Sequence, residues 1–341
     1  MSESISKWRF WAWPSELRRV GVLGMNSRNA DYILTSNPRR NFPNVDDKLR
    51  TKRICELRGI PVPGTFATIS RNGDIPRWIE FVTDRSEFVI KPAHGSGGRG
   101  IVVIAGHNNE IFVTASGAKY SSADLRYHIS SILSGLFSLG GQPDTAIIEQ
   151  RIVCHSDFQK YSVGGTPDIR VILYRSIPIM AMVRLPTTAS RGRANLHQGA
   201  IAAAIDLRTG TTFGGVCKSR PIANHPDTAA PIQGFQIPFW NRLLISAMDL
   251  ADNLGLGYVG IDFVVDEKAG PLVLEANARP GLAIQIANRC GLAPRMKAID
   301  QELSGTLLPT DRLTWIGSLL DGNRNTLADS KGNGSSSKNE A

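Results

Sequence analysis

The sequence predicts an α+β fold, because runs typical of β-strands come in neighbouring pairs and are separated by a few helical segments. One pair flanks a glycine-rich loop at 95–100, and another flanks a polar turn at 266–270. Strands joined by short turns pair antiparallel, and antiparallel sheets that carry helices are typical of α+β domains. The 341 residues are enough for one large lobe or for two to three small ones.

The composition is that of an ordinary globular protein, with 42% hydrophobic and 20% charged residues. The net charge of +9 indicates either a solvated basic surface or attraction to anions. The sequence lacks blocks of lysine and arginine with interleaved aromatic residues, which are typical of nucleic-acid binding. We therefore expect no clear nucleic-acid partner.

The sequence predicts a cytoplasmic protein that does not enter a membrane. No apolar run approaches the ~20 residues of a membrane helix. The stretch around Trp8, Trp11 and Trp13 is broken by Pro14 and by charges, unlike a secretory signal. The cysteines lie far apart without a C-x-x-C pair, which argues against a zinc site and a disulfide scaffold. The oligomeric state stays open.

Composition also divides the chain into segments. Residues 1–45 are polar, basic and aromatic, and predict an N-terminal arm or cap. The region 46–320 predicts the folded part, with the glycine-rich loop inside a smaller lobe at about 65–150 and the polar turn inside a larger lobe at 151–320. The tail at 322–341 is rich in asparagine, glycine, serine and lysine, which predicts disorder.

Apolar periodicity and turn residues place the individual elements. The clearest helix is at 236–254, because its apolar residues recur at helical spacing until Gly255. Further helices are expected at 46–57, near 76–82 and at 120–139, and strands at 65–70, 88–91, 101–104, 146–153, 169–174, 177–185, 198–205, 211–218, 258–265 and 272–276.

The loop at 95–100 fits the pattern G-x-G-x-x-G, which has several interpretations. A dinucleotide site needs a helix after the loop, whereas 101–104 is strand-like. A Walker A loop needs lysine and then serine or threonine, and Ile101 stands there instead. A kinase loop fits as far as Val102, yet no H-R-D or D-F-G motif occurs. The remaining interpretations are a glycine-rich turn, or a flap whose backbone N–H groups cover phosphate oxygens beside Lys91.

The hairpin around 266–270 predicts a metal site. If it is symmetric about the bond between Lys268 and Ala269, Asp262 lies opposite Glu275, and Asn277 shares their face. Opposed acids repel each other unless a cation lies between them, and oxygen ligands suit Mg²⁺. The alternatives are a hydrated polar stripe, or a register shift of one residue that sends the two acids to opposite faces.

Cationic residues follow the hairpin and fill the middle of the chain. Arg279 comes directly after the hairpin, where it either reaches an anionic centre or is a loop arginine in water. Cations also surround Asn195, and arginine is preferred where phosphate or carboxylate is bound in bidentate geometry. These cations are Arg170, Arg184, Arg191, Arg193 and His197.

Taken together, these residues resemble the ATP-grasp superfamily, and within it the alpha-L-glutamate ligase branch, which is related to enzymes that add glutamate to the C-terminus of a ribosomal protein. The stretches that carry the resemblance are Asp47-Lys48-Leu49 with the helix that follows, Lys91-Pro92 through Gly100, Asn195-Leu196-His197-Gln198-Gly199, Gly260-Ile261-Asp262-Phe263, and Leu274 through Leu282. The first 45 residues depart from those ligases, because they do not form a complete N-terminal α/β domain.

The resemblance implies an ATP-grasp fold, in which two α+β lobes clasp ATP, here with a short non-standard N-terminal arm. It implies that ATP is bound by Lys48, Lys91, Gly95, Ser96, Gly97, Gly98, Gly100, Glu149, Gln150, Arg151 and Ile152, the last four forming a hinge around adenine. It assigns two Mg²⁺ or Mn²⁺ ions to Asp262, Glu275 and Asn277, and it places Arg170, Asn195 and Arg279 around the phosphates and the transferring group.

The implied activity is ATP-dependent ligation of a carboxylate to an amine through an acyl phosphate. The implied partners are a carboxylate donor, such as glutamate or a similar amino acid, and a peptide or small-molecule acceptor. Two alternatives stay open: a phosphotransferase built on the same lobes, and a non-catalytic nucleotide-binding protein.

Overall fold

The computed structural model describes residues 13–95, 97–108, 110–302 and 311–317. The tail at 322–341, predicted to be disordered, and Ser96, predicted to bind ATP, lie outside the described residues. Within them, no helix has both the length and the apolar character needed to cross a bilayer. The helices include α1 (Pro14–Arg19), α2 (Met25–Ser27), α3 (Leu34–Ser36), α4 (Pro43–Asp46), α5 (Lys48–Leu57), α6 (Ser122–Leu133), α7 (Trp240–Leu254), α8 (Ile284–Asn288) and α9 (Ala293–Glu302).

The strands form two antiparallel sheets. The small sheet has six strands in the order β1-β6-β2-β3-β4-β5, and the large sheet has seven in the order β11-β10-β9-β8-β7-β12-β13. The strands are β1 (Thr65–Ile69), β2 (Phe88–Pro92), β3 (Val102–His107), β4 (Ile111–Thr114), β5 (Lys119–Ser121), β6 (Ala146–Glu149), β7 (Asp168–Tyr174), β8 (Ile177–Leu185), β9 (Ile201–Ile205), β10 (Thr212–Cys217), β11 (Arg220–Ile222), β12 (Tyr258–Asp266) and β13 (Gly270–Asn277). Each sheet packs on its own hydrophobic core.

The small sheet is covered by α6. The helix buries Leu125, Ile129 and Ile132, whose spacing puts them on one helical face, so the sheet has an apolar partner. The prediction of a helix over 120–139 is wrong at its end, because the chain turns at Gly135. This glycine has φ of +84°, and a Cβ there would lie 2.4 Å from the carbonyl oxygen of Gln142. Only glycine satisfies both conditions.

Residues before α4 are part of the core under the large sheet. Leu23, Tyr32 and Ile33 are buried in that core. The side chain of Asn37 bonds the backbone of the first residue of β12: its Nδ2 donates to the Tyr258 carbonyl, and its Oδ1 accepts from the Tyr258 N–H, both at 2.8 Å. The described part of the predicted arm is therefore continuous with the large lobe.

We expect the substitution Asn37→Ala to lower the free energy of unfolding by about 2–4 kcal/mol, because it leaves a buried donor and a buried acceptor of Tyr258 unpaired. Urea unfolding followed by circular dichroism measures this loss. Asn253→Ala is the matched control, since Asn253 donates a single, half-buried bond within its own helix. Equal losses in the two variants would contradict the structural role of Asn37.

The hairpin formed by β12 and β13 contains a β-bulge. The symmetric hairpin expected from the sequence pairs Val265 with Leu272, and this pairing is wrong, because Val265 pairs with Pro271. Leu274 is an extra residue of β13 between Phe263↔Val273 and Asp262↔Glu275, and it returns the pairing to the predicted register. The predicted opposition of Asp262 and Glu275 is therefore confirmed.

Candidate active site

Two adjoining cavities lie where the loop between β2 and β3 faces the β12–β13 hairpin. The inner cavity has a volume of about 280 Å³ and is lined by Lys48, Lys91, Gly97, Gly98, Ile101, Asp168, Arg184, Arg193, Ala194, Asn195, Asp262, Leu274 and Glu275. The outer cavity has a volume of about 500 Å³ and is lined by Val45, Asp46, Lys48, His94, Gly95, Gly97, Ser138, Gln142, Pro143, Glu275, Ala276, Asn277 and Arg279. Lys48, Gly97 and Glu275 belong to both linings and form the shared wall.

The shared wall brings together three parts of the chain that the sequence analysis singled out. Lys48 comes from the first turn of α5, Gly97 from the glycine-rich loop, and Glu275 from the hairpin. Glu275 is half-buried and has no ion-pair or hydrogen-bond partner among the described residues, so its carboxylate oxygens are available to a ligand. Both strands of the hairpin contribute to the inner cavity, through Asp262 and Glu275.

At the base of the inner cavity, Asp262 is held by two arginines. Arg170 binds it in bidentate geometry, with Nε–Oδ1 and Nη2–Oδ2 distances of 2.7 and 2.6 Å. Arg184 donates to the same Oδ2 at 2.8 Å and also bonds Asp168. Arg170 thus lies behind Asp262 and, within the described part of the chain, outside the linings of both cavities.

Burial and the neighbouring arginines shift the pKa values of Asp262 and Asp168 in opposite directions. Burial raises the pKa of Asp262, but Arg170 and Arg184 outweigh it and hold the pKa at about 2. At Asp168, burial prevails over the attraction of Arg184 and raises the pKa to about 7. Asp262 is therefore the carboxylate that stays ionised at neutral pH in this four-residue network.

The loop between β2 and β3 is held at both ends. Lys48 Nζ donates to the carbonyl of Gly95 at 2.5 Å, at the start of the loop. His128 on α6 bonds the carbonyl of Gly100 at 3.0 Å, at its end. Gly97 has φ of +65°, and a Cβ added there would lie at least 4 Å from the neighbouring described atoms; this residue lines both cavities. We call residues 95–100 the flap.

The carboxylate of Glu149 lies between two ammonium groups. Its Oε1 is 2.5 Å from Lys91 Nζ, and its Oε2 is 2.6 Å from Lys52 Nζ. All three side chains are buried. Burial lowers the pKa of Lys52, and the negative charge of Glu149 opposes that effect. Glu149 thus fixes Lys91 on β2, where Lys91 lines the inner cavity.

The other residues predicted to contact adenine follow β6. The Gln150 side chain accepts a bond from the N–H of Gly64 at 3.2 Å, and Arg151 donates to Glu87 at 2.6 Å. Together with Ile152, they stand outside the two linings as far as the chain is described. Their contact with adenine stays a prediction.

The remaining predicted residues divide between the cavities. Asn195 lines the inner cavity, and its Oδ1 accepts from the N–H of His197 at 2.9 Å. Asn277 and Arg279 line the outer cavity, and Asn277 Oδ1 accepts from the N–H of Arg279 at 3.0 Å. The guanidinium of Arg279 lies over the ring of Phe42, 5.1 Å from its centroid. Both side-chain amides therefore also shape their own loops.

The residues of the site that sequence reasoning missed include Lys52, His94, Asp168 and Leu274. Lys52 lies one helical turn after Lys48, a spacing that places both on one face of α5 and could have revealed it. Leu274 lines the inner cavity next to Glu275 and is the bulged residue of β13. Nothing local in the sequence indicates a bulge.

Comparison with known proteins gives low identities over most of the chain. A probable alpha-L-glutamate ligase 1 from Shewanella frigidimarina (strain NCIMB 400) is 24% identical over 267 residues, which cover 78% of this chain and 64% of that protein. This chain thus spans less than two thirds of that relative.

Solved structures resemble the chain only distantly. The ATP-grasp ligase PsnB, complexed with minimal precursor, Mg and ADP, is 15% identical, with a TM-score of 0.44 and coverage of 78% of this chain and 61% of that one. Biotin carboxylase from Campylobacter jejuni is 16% identical, with a TM-score of 0.47 and coverage of 78% and 48%.

Most of the chain matches one family model. The match extends over residues 27–301 and includes both sheets, the flap and the hairpin. The predicted α+β ATP-grasp fold and the resemblance to that superfamily are therefore confirmed. The chain belongs to the sugar-transfer associated ATP-grasp family.

Proposed function

We propose that the protein is an ATP-dependent ligase that joins a carboxylate to an amine through an acyl phosphate. The observation that carries this proposal is the shared wall, where a lysine, the flap and the carboxylate of Glu275 line two adjoining cavities. A phosphoryl group passes between two bound molecules only if their sites adjoin, and residues that line both sites can contact the group that is transferred.

The inner cavity suits the polyphosphate of ATP. Lys91 and Lys48 supply positive charge, and the flap supplies backbone N–H groups above them. Arg193 and Asn195 line the same cavity and can donate to phosphate oxygens. Burial and the charge of Lys91 lower the pKa of Lys48, while Glu275 raises it, so an arriving phosphate would strengthen the ammonium form.

The oxygen donors at the hairpin fit Mg²⁺ or Mn²⁺ bound together with phosphate. Glu275 has carboxylate oxygens without a partner among the described residues, and Asn277 adds an amide. Asp262 is an ionised carboxylate that an ion would share with Arg170 and Arg184. Among the described residues, no three acidic, histidine or cysteine side chains form a group that could hold a metal alone. This agrees with ions whose coordination is completed by substrate phosphates. When bound, such ions supply charge neutralisation on the transferring phosphoryl group.

The chain's own residues would then act in two stages. While the carboxylate of the donor attacks the γ-phosphate, Lys48 and Lys91 stabilise the charge on the phosphate oxygens and the flap excludes water. Arg279, in the outer cavity, would hold the donor carboxylate. Excluding water protects the acyl phosphate until the amine attacks its carbonyl carbon and phosphate leaves.

For the finer identity of the substrates we propose that glutamate or a similar amino acid is joined to a peptide or a small molecule. One support for this proposal is the 24% identity to a probable alpha-L-glutamate ligase. The other is the volume of the outer cavity, about 500 Å³, which accommodates an amino acid.

The proposal is tested by incubating the protein with ATP, MgCl₂, hydroxylamine and a panel of amino acids, dicarboxylic acids and acidic peptides. We expect ADP release to match hydroxamate formation for at least one carboxylate. ADP release together with a phosphorylated hydroxyl and no hydroxamate would instead indicate a phosphotransferase. The absence of nucleotide turnover across the panel would contradict catalysis.

A further inference from the structure

A histidine paired with a buried aspartate lies at the rim of the outer cavity and has no part in the roles assigned above. His94 Nδ1 is 2.7 Å from Asp144 Oδ1, and the Asp144 side chain is fully buried while the His94 side chain is 45% exposed. His94 directly precedes the flap, and Asp144 directly precedes the turn into β6. The pair joins two segments separated by 50 residues.

Asp144 is fixed as an anion by the hydrogen bonds it accepts. Besides His94, the Ser138 hydroxyl donates to Oδ2 at 2.8 Å, and the N–H groups of Thr145 and His94 donate as well. Burial raises the pKa of Asp144, but these hydrogen bonds outweigh burial and lower it. An ionised acceptor at this place requires a proton on Nδ1 of His94, so in the neutral imidazole the lone pair is on Nε2.

His94 lines the outer cavity, and Nε2 is the ring nitrogen that does not face Asp144. The outer cavity is also lined by Glu275, which belongs to the shared wall, and by Arg279. The charged groups around the ring are Asp144 on Nδ1, Asp47 at 3.9 Å from Nε2, and Lys48 in the same lining. Asp47 is too far to accept a hydrogen bond from Nε2, and no described residue is a hydrogen-bond partner of this nitrogen.

We propose that His94 is the general base that activates the amine, with Asp144 as the residue that positions it. This inference rests on the proposed ligase function. An amine bound in the outer cavity attacks the acyl carbon, so that the C–N bond forms and the bond from carbon to the phosphate oxygen breaks. The amine arrives as the ammonium ion: one proton passes to Nε2 of His94 before the attack. A second proton passes from the nitrogen to a phosphate oxygen as the carbon–oxygen bond breaks, so that phosphate leaves as HPO₄²⁻ on the inner-cavity side.

A structural role for the same pair is the competing explanation, because the His94 backbone N–H also bonds Asp144 and thereby anchors the flap. The substitution His94→Asn separates the two roles. The amide Nδ2 of asparagine occupies the place of the imidazole Nδ1 and can donate to Asp144, whereas asparagine has no group that takes up a proton.

The experiment compares two amines of the same size with the wild type and with H94N. Hydroxylamine is uncharged at neutral pH and needs no base, whereas methylamine is protonated and must lose a proton before it attacks. The carboxylate is the one that gives hydroxamate in the panel above. We expect H94N to keep hydroxamate formation within about threefold and to lose methylamide formation by about 10²–10⁴-fold. His155→Asn, a histidine outside both linings, is the control.

Equal losses with both amines would show that His94 only holds the flap, and equal retention would show that it takes no proton; each result overturns the inference. A wild type that forms hydroxamate but no methylamide also contradicts it. If the proposed function itself is wrong, the result differs: the wild type then forms no hydroxamate with any carboxylate of the panel.

Discussion

Replacing Glu275 with glutamine is expected to lower ATP turnover by about 10³-fold while the fold survives. Glu275 forms the part of the shared wall that belongs to the hairpin, and its carboxylate has no partner in the described chain. Glutamine keeps the shape of the side chain but removes the negative charge that would bind a divalent ion and attract Lys48. Turnover is measured as ADP release with hydroxylamine and the best carboxylate of the panel.

The matched control for this variant is Glu110→Gln, at an exposed position of the small lobe. It removes the same charge from the chain without touching either cavity, and we expect unchanged turnover. Circular dichroism and the urea midpoint establish whether both variants fold. Wild-type turnover in Glu275→Gln would remove the metal site and the shared wall from the mechanism.

Replacing Glu149 with glutamine is expected to lower the free energy of unfolding by about 3–5 kcal/mol, because two buried ammonium groups then lose their common counter-ion. Lys52 and Lys91 would face each other across a neutral amide, in a place where burial already lowers the pKa of Lys52. Urea unfolding at neutral pH measures the effect. Turnover should fall too, since Lys91 lines the inner cavity.

Two further variants test whether the unpaired charge causes the loss of stability in Glu149→Gln. Glu87→Gln breaks a pair with Arg151 whose side chains are 37% and 24% exposed, and such a pair contributes only about 0–1 kcal/mol. The double variant Lys52→Met/Glu149→Gln removes one of the two unpaired ammonium groups and should recover part of the lost stability. A double variant less stable than Glu149→Gln alone would indicate lost packing as the cause.

The sequence was sufficient to predict elements whose signal is local. The apolar spacing of 236–254 predicted α7, and neighbouring strand-like runs predicted the antiparallel pairs β7–β8 and β9–β10. The opposition of Asp262 and Glu275 was also predicted, although through a symmetric turn that the structure does not have. A bulge of one residue compensated for that error, and a bulge depends on packing that no local pattern encodes.

The parts of the site that escaped prediction depend on contacts between distant segments. Asp168 reaches Arg184 and the Arg184–Asp262 pair only because β7 lies between β8 and β12. His94 and Asp144 meet because β2 and β6 are neighbours in the small sheet. Such side chains become identifiable once strand order is known, and strand order follows from how the lobes bury their apolar faces.

The segment before α2 determines where a truncated form of this protein should begin. Similarity to the family begins at residue 27, yet Leu23 exchanges two hydrogen bonds with the Gln285 side chain, and the N–H of Ala293 donates to the carbonyl of Gly21. A truncated protein that begins at residue 27 would keep the residues that line the two cavities but lose these hydrogen bonds to α8 and α9. The folded unit therefore begins before the region that matches the family.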